Sequence, residues 1–181
     1  MSDKKNKEIS CIPVKQLLNF VQKECNKYDI SAIYNAILAI YGNDKRRLIS
    51  LNFYIDSENK KDIIKFISQK GKESAIKKRM QMAIHSILTK KRNNDLYEIE
   101  YTVNHNGYTC YVGALKFHAQ ENTRIISREY NEDSCTSIVK VEGYKKKVEK
   151  NTGKYKNRLE AASRIQYYLI DEISKNKIFF K

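Results

Sequence analysis

The stretch "VEGYKKKVEKNTGKYKNRLEAASRI", residues 141–165, is where the reading of this chain turns. It holds eight basic residues, Lys145, Lys146, Lys147, Lys150, Lys154, Lys156, Arg158 and Arg164, against three acids, Glu142, Glu149 and Glu160. Gly143 reads as a tight turn between two strands, "NTG" as a second turn, and a helix follows, spanning Lys156 to Ile173 with Leu159, Ala162, Ile165, Gln166, Leu169 and Ile173 inward. The dipole of a helix favours acids at its start, and this start is basic instead. A solvated charged face is one reading of such a run. The other is a phosphate clamp, in which free backbone N–H groups and lysines converge on an anion.

Working outward, the whole chain shares this charge. It has 181 residues, 41% of them apolar, a net charge of +14 and a pI near 9.5. That length suits one large domain or two small ones, with enough apolar residues for a core. The charge speaks to partners and favours nucleic acid or an anionic surface. No apolar run reaches the roughly 18 residues that span a bilayer. The start, "MSDKKNKE", lacks the apolar centre of a signal peptide, so a cytoplasmic, intracellular protein is expected. The four cysteines (Cys11, Cys25, Cys110, Cys135) form no CxxC pair, and His85, His105 and His118 complete no zinc spacing. Reduced thiols, no metal and no cofactor are expected.

Residues 1–10 are polar and read as a disordered basic tail. A helix opens at Pro13, with Val14, Leu17, Leu18, Val21 and Cys25 on one face. Ile30, Ile33, Ile37 and Ile40 mark a second, ending near Gly42. "RRLISLNFYID" and "KDIIKFIS" read as strands, and "GKESAIKKRMQMAIHSILTKK" as a helix lined by Ile76, Met80, Ala83, Ile84, Ile87 and Leu88. "LYEIEYTV" alternates Tyr97, Ile99, Tyr101 and Val103 on one face of a strand, and "NHNG" is its turn. "YTCYVGALKFHAQEN" begins as a strand and turns helical from about Val112; "TRIISREY", "TSIVKVEG" and "YKKKVEKNTG" are strands. A shift of 82 residues lays Gly71-Lys72 on Gly153-Lys154 and "DISAIYNAI" on "YVGALKFHA", a faint internal repeat.

On these residues, "SIVKVEGYKKKVEKNTGKYKNRLEAASRIQYYLIDEI" resembles the second half of a double-stranded RNA-binding domain, with "GKYKNRLEAAS" in the place of its basic helix start. The resemblance implies an α+β fold, an antiparallel sheet with helices packed on one face in α-β-β-β-α order. The unit would span 112–173 within a C-terminal domain of 93–181, beside an N-terminal α/β domain of 11–92 that reads as a degenerate repeat. It implies that Lys145, Lys146, Lys147, Lys150, Lys154, Lys156 and Arg158 reach phosphates, and that Gln120, on a first helix "ALKFHAQEN", reaches a minor groove. Small viral proteins of that type mask duplex RNA from host sensing or silencing. The chain departs from the family at Phe117, where a glutamate is usual, at "NEDS" in place of the GPxH loop, and at Tyr155 in place of a serine. A duplicated saddle similar to the TATA-binding protein is the rival plan, and a docking or dimerising subunit of a larger complex is the alternative outside nucleic-acid binding.

No Ser-His-Asp, Cys-His or paired-carboxylate spacing, P-loop, GxGxxG or HExxH occurs. His118 and Cys110 are the weak catalytic candidates, and a non-enzyme is expected. The tyrosines on the "LYEIEYTV" face read as core before they read as base-stacking groups.

Overall fold

A computed structural model of the chain describes residues 21–41, 50–68, 71–89, 93–105, 107–117, 122–132, 135–145 and 152–180. In chain order the elements are β1 (Val21–Lys27), α1 (Ser31–Tyr41), β2 (Ser50–Asp56), α2 (Lys60–Ile67), α3 (Glu73–Leu88), β3 (Tyr97–His105), β4 (Tyr108–Phe117), β5 (Thr123–Glu132), β6 (Cys135–Lys145), α4 (Thr152–Ser163), β7 (Ile165–Ile170) and β8 (Lys177–Phe179).

The eight strands form one mixed sheet in the order β3-β4-β5-β6-β2-β1-β7-β8. β3 to β6 are an antiparallel meander, and β2 then joins β6 in parallel, Ser50 opposite Cys135 through Ile55 opposite Lys140. β1 pairs antiparallel with β2 and parallel with β7. The two early strands, β2 and β1, therefore sit side by side between late ones in one hydrogen-bonded layer.

Two cores lie on opposite faces. On one, α1 and α3 bring Ile37, Ile76, Met80, Ile84 and Ile87 onto Leu51, Phe53, Tyr97, Leu115, Phe117, Ile125 and Ile138, with Phe66 and Ile67 of α2 packed beside them. On the other, Tyr155, Leu159 and Ala162 of α4 cover Tyr54, Val112, Ile126, Tyr130, Val139, Val141 and Tyr167. β5 runs through the middle, buried continuously from Thr123 to Tyr130, as a strand covered on both faces must be.

This architecture overturns the expected α-β-β-β-α unit with helices on one face: the sheet has eight strands in mixed directions, and described helices cover both faces. The local corrections have physical causes. "KDIIKFIS" is helical, and the turn that leads into it is folded by the Asp56 carboxylate, which accepts from the backbone N–H groups of Glu58 and Asn59 (2.9 and 3.0 Å). Ile63, Phe66 and Ile67 then fall at i, i+3 and i+4 on its inner face. Val112 to Phe117 stays extended, paired to β3 on one side and β5 on the other. The expected helix to Ile173 ends at Ser163, and Ile165–Ile170 is a strand. Ile165 and Leu169 are four apart, a spacing that a helix of period 3.6 and a strand of period 2 both satisfy. Gly143 is no turn: it sits inside β6 opposite Ile125. Residues 21–25, expected on a helix, lie in β1, and the earlier part of that expected helix lies outside the described residues.

Candidate nucleic-acid interface

α4 is fixed to the sheet by one apolar stripe. Tyr155, Leu159 and Ala162 fall at i, i+4 and i+7 and are all buried. Lys154, just before this stripe, and Lys156 and Arg158, within it, therefore face solvent. Tyr155, which stands where the resembled family has a serine, is an anchor. Its hydroxyl donates to the Glu100 carboxylate, its ring stacks on Tyr144 of β6 with centroids 5.1 Å apart, and burial, with Glu100 beside it, pushes its pKa up.

The cations on this face differ in their freedom. Arg158 is bound to the Glu142 carboxylate and lies over the Tyr144 ring, 5.3 Å from its centroid. Arg164, at the far end of α4, is tied to Glu160. Among the described residues Lys154 and Lys156 have no acidic partner within ion-pair distance. Lys145 is exposed at the end of β6, next to Tyr144 in the chain. Lys146, Lys147, Lys150 and Gln120 lie outside the described residues, as do His118 and Cys11.

Beneath α4 the sheet is itself charged. Glu100 holds Lys116 Nζ at 3.4 Å and Arg124 Nε at 3.6 Å, and Lys116 also binds Glu98. Among the described residues, Arg124 Nε and Nη1 are buried without a hydrogen-bond partner. Glu100 reaches these groups through a bulge: Ile99 pairs with Gly113 and Tyr101 with Val112, leaving Glu100 as the extra residue. The bulge also splits the expected single face of β3, because Tyr97 and Ile99 pack into the first core and Tyr101 into the second.

A second polar cluster lies on the opposite face, and no motif in the sequence marks it. Glu129 accepts from the Tyr97 hydroxyl and from the Asn131 amide, each at 2.9 Å. Lys140 is wholly enclosed beside it, its ammonium 5.0 Å from the centroid of the Phe53 ring, and burial lowers its pKa to about 7 against the pull of Glu129. The available signal is charge within apolar strands: Lys140 in "SIVKVEG" and Glu129 in "TRIISREY". Neither Glu129 nor Lys140 lines the cavities at Tyr28 and Phe53, at Ile37 and Met82, or at Ile33 and Ile76.

Cys25 and Cys110 are buried and Cys135 half-buried, all three as free thiols. Burial, reinforced by Asp56 and Glu24, pushes the Cys25 thiol up to about 12, which leaves it unreactive. Among the described residues no group of three or more His, Cys, Asp and Glu side chains is placed to hold a metal ion, and no helix is long and apolar enough to cross a membrane. No protein-family model, no curated protein and no solved structure matches the chain.

Proposed function

We propose that the chain is a non-catalytic nucleic-acid-binding protein that grips the phosphate backbone of a duplex with the exposed face of α4 and the end of β6. The observation that carries this reading is the pair Lys154 and Lys156: both exposed, both without an acidic partner among the described residues, on a helix clamped to the sheet by Tyr155, Leu159 and Ala162. Cations on a rigid helix meet a phosphate with little further ordering cost. The net charge of +14 supplies the long-range attraction. A duplex is favoured over single strands because the exposed face of α4 offers no aromatic ring on which bases would stack; Tyr155 is turned inward.

The test is fluorescence anisotropy with duplex RNA, duplex DNA and the matching single strands over a range of salt. Binding should weaken steeply with salt, through counterion release. The double variant Lys154→Glu, Lys156→Glu should lower the logarithmic salt slope by about 2, one per lost contact, with the melting temperature retained. Unchanged affinity in a folded double variant would remove α4 from the interface. Tighter binding of single strands would reject the duplex preference.

A further inference from the structure

The ladder between β1 and β2 ends early. Its last rungs pair Lys27 with Tyr54 and join Tyr28 N–H to Phe53 C=O at 2.8 Å, after which the chain leaves for α1. β2, however, continues back to Ser50 beside β6. Strand alternation turns the backbone groups of Phe53 toward β1, and those of Leu51 the same way, into the space that β1 has vacated. A cavity of about 660 Å³ fills that space, and Leu51 lines it. Its other walls include Tyr28, Tyr34, Asn35, Asn52 and, at one side, Lys27.

We propose that this cavity binds a nucleobase carried on a phosphorylated sugar. Its volume lies within the roughly 300–1,000 Å³ of small-ligand sites. Tyr28 and Tyr34 are half-buried, so each ring offers an aromatic surface at fixed position. Among the described residues no strand pairs with Leu51 on this edge, and its N–H and C=O form a neighbouring donor and acceptor, the pattern that the edge of a base such as adenine presents in complement. Among the described residues the exposed Asn35 amide has no hydrogen-bond partner, and Asn52 uses its Nδ2 toward the Cys135 sulfur at 3.2 Å while its carbonyl oxygen accepts from no donor. Lys27 is exposed and supplies a cation for a phosphate. The nearby acid, Asp29, is committed to the start of α1, accepting from the Ser31 N–H at 2.8 Å and from the Ser31 hydroxyl. Every described lining residue belongs to the end of β1, the turn after it, α1 or β2, so the site is independent of the α4 face.

The base has two sources, a free nucleotide or an unpaired residue of a strand, and the experiment separates them. Calorimetric titration of the full chain with adenosine 5′-monophosphate is run beside anisotropy with a duplex that carries, or lacks, a single unpaired adenosine. Saturable binding of the monophosphate should appear at about millimolar concentration or below, and should persist in the Lys154→Glu, Lys156→Glu variant. Tyr34→Ala should weaken it about tenfold or more, the size of one lost stacking contact. Lys27→Ala, at an exposed position that leaves the core intact, should abolish any preference for the monophosphate over adenosine. Tyr34-dependent gain from the unpaired adenosine, without binding of the monophosphate, assigns the base to a strand. The absence of both, or binding that Tyr34→Ala and Lys27→Ala leave unchanged, overturns the proposal.

Discussion

Lys140 sits where a lysine is least at ease, enclosed in the first core against Phe53 and Tyr97, with Glu129 as its partner in charge. Its pKa falls from 10.5 to about 7. The unfolded chain therefore binds more protons than the folded one between those values, and stability rises with pH across that window. Cys25 opposes it only above its ordinary 9.0, because a thiol held protonated to about 12 loses stability as pH climbs. Between pH 7 and 9 the urea midpoint should therefore rise, with a limiting slope of about 1.4 kcal/mol per pH unit. Lys140→Met should flatten that rise; an equal slope in the variant would show that Lys140 is not its source. Gly113 serves the same cluster. A Cβ there would stand 2.2 Å from the Tyr97 hydroxyl oxygen, inside a core that leaves Tyr97 no room to retreat. Gly113→Ala should cost about 1–3 kcal/mol of overpacking in the same urea measurement.

Among the elements, β6 and α4 carry the most consequence. β6 runs unbroken through Gly143 because its ladder with β5 continues past that residue to Lys145 opposite Thr123, and the ladder outweighs the local preference of a glycine for a turn. Its bulge near Val141 presents Glu142 to Arg158. That pair is half-exposed, so Glu142→Gln should change stability by less than about 1 kcal/mol. The same change frees Arg158 and removes a negative charge from the proposed interface, so duplex affinity at low salt should rise. A fall in affinity, with the fold intact, would place Glu142 in a positive role and count against the α4 face.

At the scale of the molecule, the order of the strands matters most. β2 and β1 stand between β6 and β7, so a segment made of residues 93–181 alone would leave both β6 and β7 without a neighbour on their inner edges. Such exposed edges are templates for aggregation. The isolated segment should fail to show a cooperative urea transition, whereas the full chain should unfold in one; circular dichroism of both checks this. A cooperative transition in the segment would mean that the late strands hold together on their own.

Much of this molecule is legible in its amino-acid sequence. α1 and α3 announce themselves through apolar residues at helical spacing, the strand over 97–103 does so through alternation, and Lys154, Lys156 and Arg158 are plain in the text of the chain. These features rest on local chemistry: a period of side chains, or a count of charges. The parity of β3, the strand nature of Val112–Phe117 and Ile165–Ile170, and the placement of β2 beside β6 rest on partners far along the chain. A run buried on both faces has no period to read, and Ile165 with Leu169 fits two periods at once. The sheet likewise settles whether Arg158 is free or bound to Glu142, and whether a lone lysine in an apolar strand points outward or meets Glu129 inside. The charge, the helices with one clear apolar face and the basic stretch that α4 displays are thus properties of local sequence. The mixed eight-stranded sheet and its two covers arise only at the tertiary level, because strand pairing is a contest between distant segments for the same backbone hydrogen bonds, and no local stretch holds both competitors.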